Sequence, residues 1–273
     1  MKVLVTGSNG YIGKHLCRML TETRQDIEVF LLDNDSKMWL NSVDIRSPKE
    51  ITRNFFGTNF DAVVHLAALV RVGESVEKPR EYCETNVQGT INVLENLQFK
   101  NFIFASTGAA SNPTSPYAYT KLMSEHIIQE HLCGSDYTIF RFYNVIGSGG
   151  YPATNPDGLF YNLTSAAQTR VFNLYGSDYP TKDGTAIREY IHVNDVCRAI
   201  IRAIDTPSRS IENLAYGDTR TVQEIIDIFK KTNNVDFKVN YLPRRPGDLV
   251  ENYLKEPSTY MERNYTYEEM LKL

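Results

Sequence analysis

The chain has 273 residues, 29 Lys+Arg against 33 Asp+Glu, and a formal net charge of −4. At ~150 residues per domain this length fits one large or two intimate domains; 42% hydrophobic and 23% charged residues exclude general disorder. A mildly acidic chain has no bulk field for a polyanion, which argues against nucleic acid as a partner while leaving room for a local pocket for one small anion.

The chain opens directly on a strand-like run, MKVLVTG, which leaves no room for a signal peptide before structured residues. Lys2–Thr6 reads as a buried strand. Ile12, Leu16, Met19 and Leu20 have helical spacing. Glu28–Leu32 is a second strand, and Pro48–Phe56 a helix with proline at a tolerated first-turn position. Ala62–Leu66 is a third strand, Arg80–Leu97 a long helix, Asn101–Ala105 a strand, Tyr117–His131 a helix and Tyr137–Phe142 a strand. Near-continuous apolar strands separated by helices predict a parallel sheet covered on both faces, a doubly wound α/β domain.

After about Gly147 the pattern changes. Residues 147–158 are rich in glycine, proline and polar side chains and read as loop. Mixed elements follow: a helix over Leu159–Gln168, a strand over Val171–Leu174, and helices over Asp195–Ile204 and Val222–Lys231. Tyr179–Gly184 and Pro243–Asp248 are charged, turn-rich stretches, and the residues from Pro257 give no clear pattern. There is no internal repeat and no low-complexity run. No stretch approaches the ~18–20 apolar residues of a membrane span. Cys17, Cys83, Cys133 and Cys197 form no CxxC pair, so neither zinc nor another metal nor a disulfide framework is expected, and a cytoplasmic location is.

Three features carry chemistry. The first strand runs into Gly7-Ser8-Asn9-Gly10-Tyr11-Ile12-Gly13 and then into a helix. Glycines at such a junction let backbone approach a pyrophosphate, which the N–H groups of the helix start then face. The spacing is GxxGxxG, one residue longer than the usual dinucleotide fingerprint. The second strand ends at Asp33-Asn34. A carboxylate there suits the adenine ribose hydroxyls and repels a 2′-phosphate, which favours NAD over NADP; the bland alternative is a strand-end turn. Asp44-Ile45 either reaches the adenine edge or caps the helix starting at Pro48. Finally, Tyr117 and Lys121 lie four apart on a helix and share a face. A phenol has a pKa of ~10 and is a poor base at neutral pH, but an ammonium one turn away favours the phenolate. The preceding strand ends at Ser106-Thr107, a hydroxyl pair able to polarise the same substrate oxygen. Tyr119 is turned to another face.

These motifs resemble the extended short-chain dehydrogenase/reductase family, in particular its nucleotide-sugar epimerases of the UDP-glucose/UDP-galactose 4-epimerase type. The resemblance runs through VTGSNGYIG (5–13), LDN (32–34), HLAALVRVGESVEKP (65–79) and NVQGTINVLE (86–95). It continues through SPYAYTKLMSE (115–125), FRFYNVIG (140–147), YGSDYPTKDGTAIREYIHVNDV (175–196) and RRPGDL (244–249). It implies a Rossmann-type doubly wound parallel sheet, residues 1–147 with about 189–216 returning to it, that binds NAD. A smaller mixed α/β C-terminal domain, 148–188 and 217–273, would bind the nucleotide sugar. It further implies epimerisation at C4 of a UDP-hexose, glucose/galactose and N-acetylated forms, through a transient 4-keto sugar, and a homodimer formed through helices 80–97 and 117–131.

By matching position, the resemblance makes Tyr117 the base, Lys121 its electrostatic partner and nicotinamide-ribose ligand, and Thr107 the hydroxyl beside the sugar O4. Gly7, Gly10, Tyr11, Ile12, Gly13, Asp33, Asn34, Asp44, Ile45, Leu66, Ala67, Ala68, Asn86 and Tyr143, with Tyr117 and Lys121, would line the cofactor. Asn144, Arg188, Arg245 and Asp248 would hold the UDP portion: two guanidiniums suit a diphosphate and a carboxylate suits a ribose diol. Solvated loop charge is the bland alternative for both arginines.

The chain also departs from the family pattern. Val70 stands where a lysine is usual, with Arg71 next to it. Gly108–Ser115 is short and lacks the usual tyrosine. Asn252 falls where glucose/galactose-restricted members carry a bulky tyrosine, so it resembles members that accept N-acetylhexosamines. Two enzymatic alternatives share the fold. A 4,6-dehydratase needs an acidic pair after its active-site threonine, where this chain has Gly108-Ala109-Ala110; a decarboxylase is not separated by sequence. A non-catalytic NAD-binding regulatory protein is the third alternative. His65 and His192 read as structural, and Trp39 with the 17 tyrosines gives no spaced stacking platform.

Overall fold

The computed structural model describes residues 1–35, 42–245, 247–254 and 257–273. Trp39 lies outside the described residues. The chain divides into two compact units, Met1–Arg141 with Cys197–Glu212, and Phe142–Val196 with Asn213–Leu273.

In the first unit strands and helices alternate: β1 (Lys2–Thr6), α1 (Tyr11–Thr23), β2 (Glu28–Leu32), α2 (Pro48–Phe55) and β3 (Asn59–His65). Then come α3 (Val72–Glu77), α4 (Pro79–Tyr82), a π-helical turn (Cys83–Gln88), α5 (Gly89–Asn96) and β4 (Gln98–Thr107). A 3-10 turn (Gly108–Ser111), α6 (Pro116–His131) and β5 (Asp136–Phe142) complete this run. The β1–β2, β1–β3 and β3–β4 pairs are parallel. Parallel neighbours need crossovers, and the helices that supply them cover the sheet. Val3, Leu4, Val5, Val63 and Val64 are therefore fully buried. Leu4 and Val63 share a core with Leu32, Ile51, Phe60, Phe102 and Ile139.

The chain then forms β6 (Asn144–Ile146), α7 (Leu159–Thr169), β7 (Val171–Tyr175) and β8 (Ile187–His192), followed by α8 (Val193–Asp205) and β9 (Arg209–Leu214). The strand order of the large sheet is β2-β1-β3-β4-β5-β9. The returning segment is shorter than the 189–216 read from sequence because β8 belongs to the second unit. There it pairs with β6, antiparallel with β10 (Thr219–Thr221), and parallel with β12 (Glu251–Asn252). α9 (Val222–Asn233), β11 (Lys238–Leu242), which pairs with β7, and α10 (Tyr267–Met270) complete the second unit. The stretch from Pro257, unplaced by sequence, ends in α10. A capping box between Thr266 and Glu269 starts that helix, and Tyr267, Met270 and Leu271 enter the second core beside Phe229 and Tyr190.

The long helix expected over Arg80–Leu97 is present as one helical run from Pro79 to Asn96, with a π turn inside it that the sequence did not announce. Pro79, lacking an N–H, starts α4 after a non-helical Lys78. The helix then widens into the π turn before α5 resumes. In the π turn the Asn86 carbonyl accepts from the hydroxyls of Thr90 at 2.6 Å and Ser124 at 2.9 Å, which meet the buried acceptor.

Candidate active site

Gly7 follows β1 with φ +68°, and a Cβ there would lie 2.7 Å from the Ala67 backbone nitrogen. At Gly13 a Cβ would lie 2.2 Å from the Gly7 carbonyl oxygen. Only glycine permits this approach of β1, the loop after β3, and the start of α1. Gly10 caps α1 without a side-chain hydrogen bond, and no acid occupies the first turn. The helix start therefore keeps its partial positive charge for a ligand. Ser8, 4% exposed, has a hydroxyl with no hydrogen-bond partner. A glycine cradle, an open helix start and an unmatched buried hydroxyl fit a dinucleotide pyrophosphate. The Asp33 carboxylate accepts from Asn9 N–H at 2.9 Å and Asp35 N–H at 3.0 Å, which fixes it at the end of β2 beside this turn.

The other residues expected to line a cofactor are placed as follows. Tyr11 and Ile12 are half-buried at the start of α1, and Asn34 is exposed beyond β2. Leu66, Ala67 and Ala68 form the half-buried loop after β3; Ala67 N–H donates to Thr6 Oγ1 at 3.2 Å. Asp44 does not cap α2, whose N-cap is Ser47. Its carboxylate pairs with Arg46 at 2.6 Å, and that guanidinium holds it below the usual carboxylate range. Ile45 is buried against Gly89. The Asn86 amide is engaged with the loop itself. Its oxygen accepts from Leu69 N–H at 2.8 Å, and its nitrogen donates to Leu69 C=O at 3.0 Å and Thr120 Oγ1 at 3.1 Å. Arg71 lies 3.6 Å from Glu74, and Val70 is exposed. His65 bridges Thr6 and Thr90 at 2.7 and 3.1 Å, and burial drives its pKa down to about 3.

Tyr117 sits one residue into α6, whose N-cap Ser115 accepts from Ala118 N–H. Its hydroxyl is hydrogen-bonded by Thr107 at the end of β4. Thr107 Oγ1 accepts from Ala109 N–H at 3.3 Å, leaving its own proton for the phenolic oxygen. Burial pushes the Tyr117 pKa up to about 12, and the Thr107 hydrogen bond opposes this. Lys121, one turn on, is buried and donates to Ala105 C=O at 2.7 Å. Burial lowers its pKa to about 7, and the charge of Glu125 opposes that. In this arrangement desolvation disfavours both ionised forms; a positive charge added beside the phenol would draw it toward phenolate. Ser106 takes no part, because its hydroxyl donates to Glu125. Tyr119 is exposed.

Sequence reading missed the support beneath this pair. Glu125, 1% exposed, binds Arg141 through Nη2 at 2.5 Å and Nε at 3.0 Å, and Arg141 Nη1 donates to Ser111 at 3.0 Å. One ion pair thus ties both ends of the short turn that follows Thr107. Tyr82 was missed as well. Its ring meets that of Tyr117 edge-on, with centroids 6.5 Å apart at 84°.

In the second unit, Arg188 donates to the carbonyls of Leu249 at 2.6 Å and Val250 at 3.2 Å. Arg245 lies 3.9 Å over the Tyr175 ring and donates to Asp157 C=O. Both guanidiniums oppose the upward shift that burial gives Asp248. The three form one charged cluster of half-buried side chains, not scattered solvated loop charge. Asn252 pairs in register with Arg188. Asn144 donates to Glu189 C=O at 2.8 Å, and Tyr143 is half-buried beside it. His192 stacks on Tyr265 at 3.7 Å.

The glycine turn, the strand-end aspartate and the tyrosine–lysine helix occur here in chain order on one parallel sheet, and a sequence profile of the NAD dependent epimerase/dehydratase family matches residues 3–217. The chain belongs to that family. The UDP-glucose 4-epimerase uge1 of Schizosaccharomyces pombe is 32% identical over 301 residues, covering 91% of this chain and 84% of that protein. The crystal structure of UDP-glucose 4-epimerase from Bifidobacterium longum in complex with NAD+ and UDP is similar over 99% of this chain and 96% of that one, with TM-score 0.86 and 27% identity. The UDP-Glc/GlcNAc 4-epimerase of Campylobacter jejuni matches over the same shares, with TM-score 0.79 and 29% identity. No helix among the described residues is long and apolar enough to cross a membrane.

Proposed function

We propose that this chain is an NAD-dependent UDP-sugar 4-epimerase with Tyr117 as its base. The observation that carries this reading is the Tyr117 hydroxyl, hydrogen-bonded by Thr107 with Lys121 one turn along α6. It sits on the same unit as a glycine cradle that a pyrophosphate fits. The named epimerases similar to this chain over nearly their whole length support the same reading.

The turn Gly7–Gly13, Asp33 and the Leu66–Ala68 loop would hold NAD. When bound, NAD supplies the acceptor for the hydrogen at C4 and a positive charge that favours the phenolate. Tyr117 takes the proton from the sugar O4, acting as general base, and returns it at the end of the cycle. Thr107 keeps its proton on the phenolic oxygen and so restrains that oxygen's position. Lys121 supplies the nearby cationic charge. Arg188 and Arg245 would bind the diphosphate, with Asp248 on the ribose diol. Both guanidiniums are braced, on the 249–250 carbonyls and on the Tyr175 ring. An anchored diphosphate lets the 4-keto sugar turn about its phosphate linkage and present its other face.

Gly108, Ala109 and Ala110 form the turn after Thr107 and offer no acid for eliminating water, which disfavours a 4,6-dehydratase. Among sugars we propose glucose/galactose forms and their N-acetylated analogues, the latter from the half-buried Asn252 beside Arg188. Incubation with a panel of UDP-hexoses and UDP-N-acetylhexosamines, scored for C4 interconversion, tests both parts. No interconversion of any member overturns the function. Asn252→Tyr is expected to suppress the N-acetylated substrates and spare the plain hexoses; an equal loss on both means that Asn252 does not set the size limit.

Asp33→Ala is expected to weaken NAD binding by about ten-fold, roughly the effect of one charge-assisted hydrogen bond, and to erode the preference for NAD over NADP. Titration with each dinucleotide measures this; an unchanged preference contradicts the ribose contact. The proposal includes a homodimer through 80–97 and 117–131. In its support, Tyr119 and Met123, one turn apart on α6, are 53% and 48% exposed. The four free cysteines support a reducing, cytoplasmic setting.

A further inference from the structure

We infer that Tyr82 is a positioning residue that couples the Leu66–Arg71 loop to Tyr117. The inference rests on the reading of that loop as cofactor-lining and of Tyr117 as the base. Tyr82 is fully buried at the end of α4. Its hydroxyl closes on both polar backbone groups of one loop residue: it accepts from Arg71 N–H at 2.9 Å and shares its proton between Arg71 C=O at 2.7 Å and the Glu74 carboxylate at 3.1 Å. Its ring meets the Tyr117 ring edge-on, a favoured aromatic arrangement. One side chain therefore holds the loop by its tip and the base by its ring.

Four residues on, Asn86 repeats the arrangement. It grips both backbone groups of Leu69 and touches Thr120. Thr120 in turn donates to the Tyr117 carbonyl at 2.8 Å. Two consecutive grips on the loop, each with a second contact on the first turns of α6, issue from one segment. That segment is the π turn and the residue before it, a kind of helix irregularity that recurs at functional sites. A group that seats against the loop thereby steadies Tyr117. By linkage, a base held in place steadies the loop.

The two halves of the Tyr82 side chain make the coupling separable. Tyr82→Phe removes the loop grip and keeps the ring against Tyr117; Tyr82→Leu removes both. Each purified variant is assayed for NAD affinity by titration and for kcat with NAD and UDP-sugar in excess. Tyr82→Phe is expected to hold NAD about ten-fold more weakly, on the scale of the hydrogen bonds to Arg71 that are lost, with kcat close to that of the native protein. Tyr82→Leu is expected to show the same weakened NAD binding and, in addition, a kcat about ten-fold lower. Native NAD affinity in Tyr82→Phe overturns the inference. So does native kcat in Tyr82→Leu, or a parallel fall in both quantities in both variants that follows a reduced folded fraction. Tyr117→Phe, run alongside, separates this from the functional reading. If that variant turns over normally, the base assignment fails, while the NAD titration of Tyr82→Phe still reports on the loop grip.

Discussion

Tyr117→Phe should reduce turnover by about a hundred- to ten-thousand-fold, the range contributed by a positioned general base, while leaving bound NAD unchanged. The substitution deletes only the oxygen that Thr107 hydrogen-bonds. The remaining ring still packs edge-on against Tyr82, and no residue of the glycine turn is touched. Steady-state interconversion of UDP-sugars gives the first quantity, and NAD released on denaturation gives the second. Tyr119 is an internal control two residues away on the same helix. It is exposed, and Tyr119→Phe should leave both quantities as they are. Persistent turnover in Tyr117→Phe removes that residue from the chemistry.

Glu125→Ala should destabilise the protein by about 3–5 kcal/mol, the loss expected when one partner of a buried ion pair is removed. Glu125 is 1% exposed, and its carboxylate receives Arg141 through two nitrogens and the hydroxyl of Ser106. Without it, a mostly buried guanidinium and a buried hydroxyl lose their acceptor. Chemical denaturation measures the effect, and Glu125→Gln, which keeps an acceptor oxygen, should cost less. The same change withdraws the charge that opposes the downward shift of Lys121, so Glu125→Gln should also reduce turnover beyond any loss of folded protein. Equal stability of Glu125→Ala and the native chain would show that the Arg141 pair contributes nothing.

What sequence revealed and what it concealed follow from the range of the interactions. The glycine turn was legible because strand, tight turn and helix are consecutive, and each glycine answers a local steric demand. Asp33 was legible because it ends the next strand. Tyr117 and Lys121 were legible because helical periodicity puts them on one face and the preceding strand delivers Thr107. The π turn was not. Apolar spacing over Arg80–Leu97 suits one continuous helix, and the groups that meet the widened turn, the Leu69 backbone and the Ser124 hydroxyl, are distant in sequence. Nor was the Glu125–Arg141–Ser111 tie visible, since it joins a helix, a strand and a turn that meet only in the folded sheet. Nothing local announces that the Tyr82 hydroxyl closes on Arg71. Arg188 and Arg245 illustrate the reverse case. Local sequence suits solvated charge, and only folding gathers them around Asp248.

The central claim is that Tyr117 and bound NAD oxidise and re-reduce one sugar carbon. The most direct measurement adds UDP-glucose or UDP-galactose to purified, NAD-loaded protein. It follows the near-ultraviolet absorbance of the reduced nicotinamide together with the configuration of the sugar product. The expected result is a rise in that absorbance and recovery of the C4 epimer with its water intact, both absent in Tyr117→Phe. An epimer formed with equal speed by Tyr117→Phe, or a product that has lost water, would contradict the account.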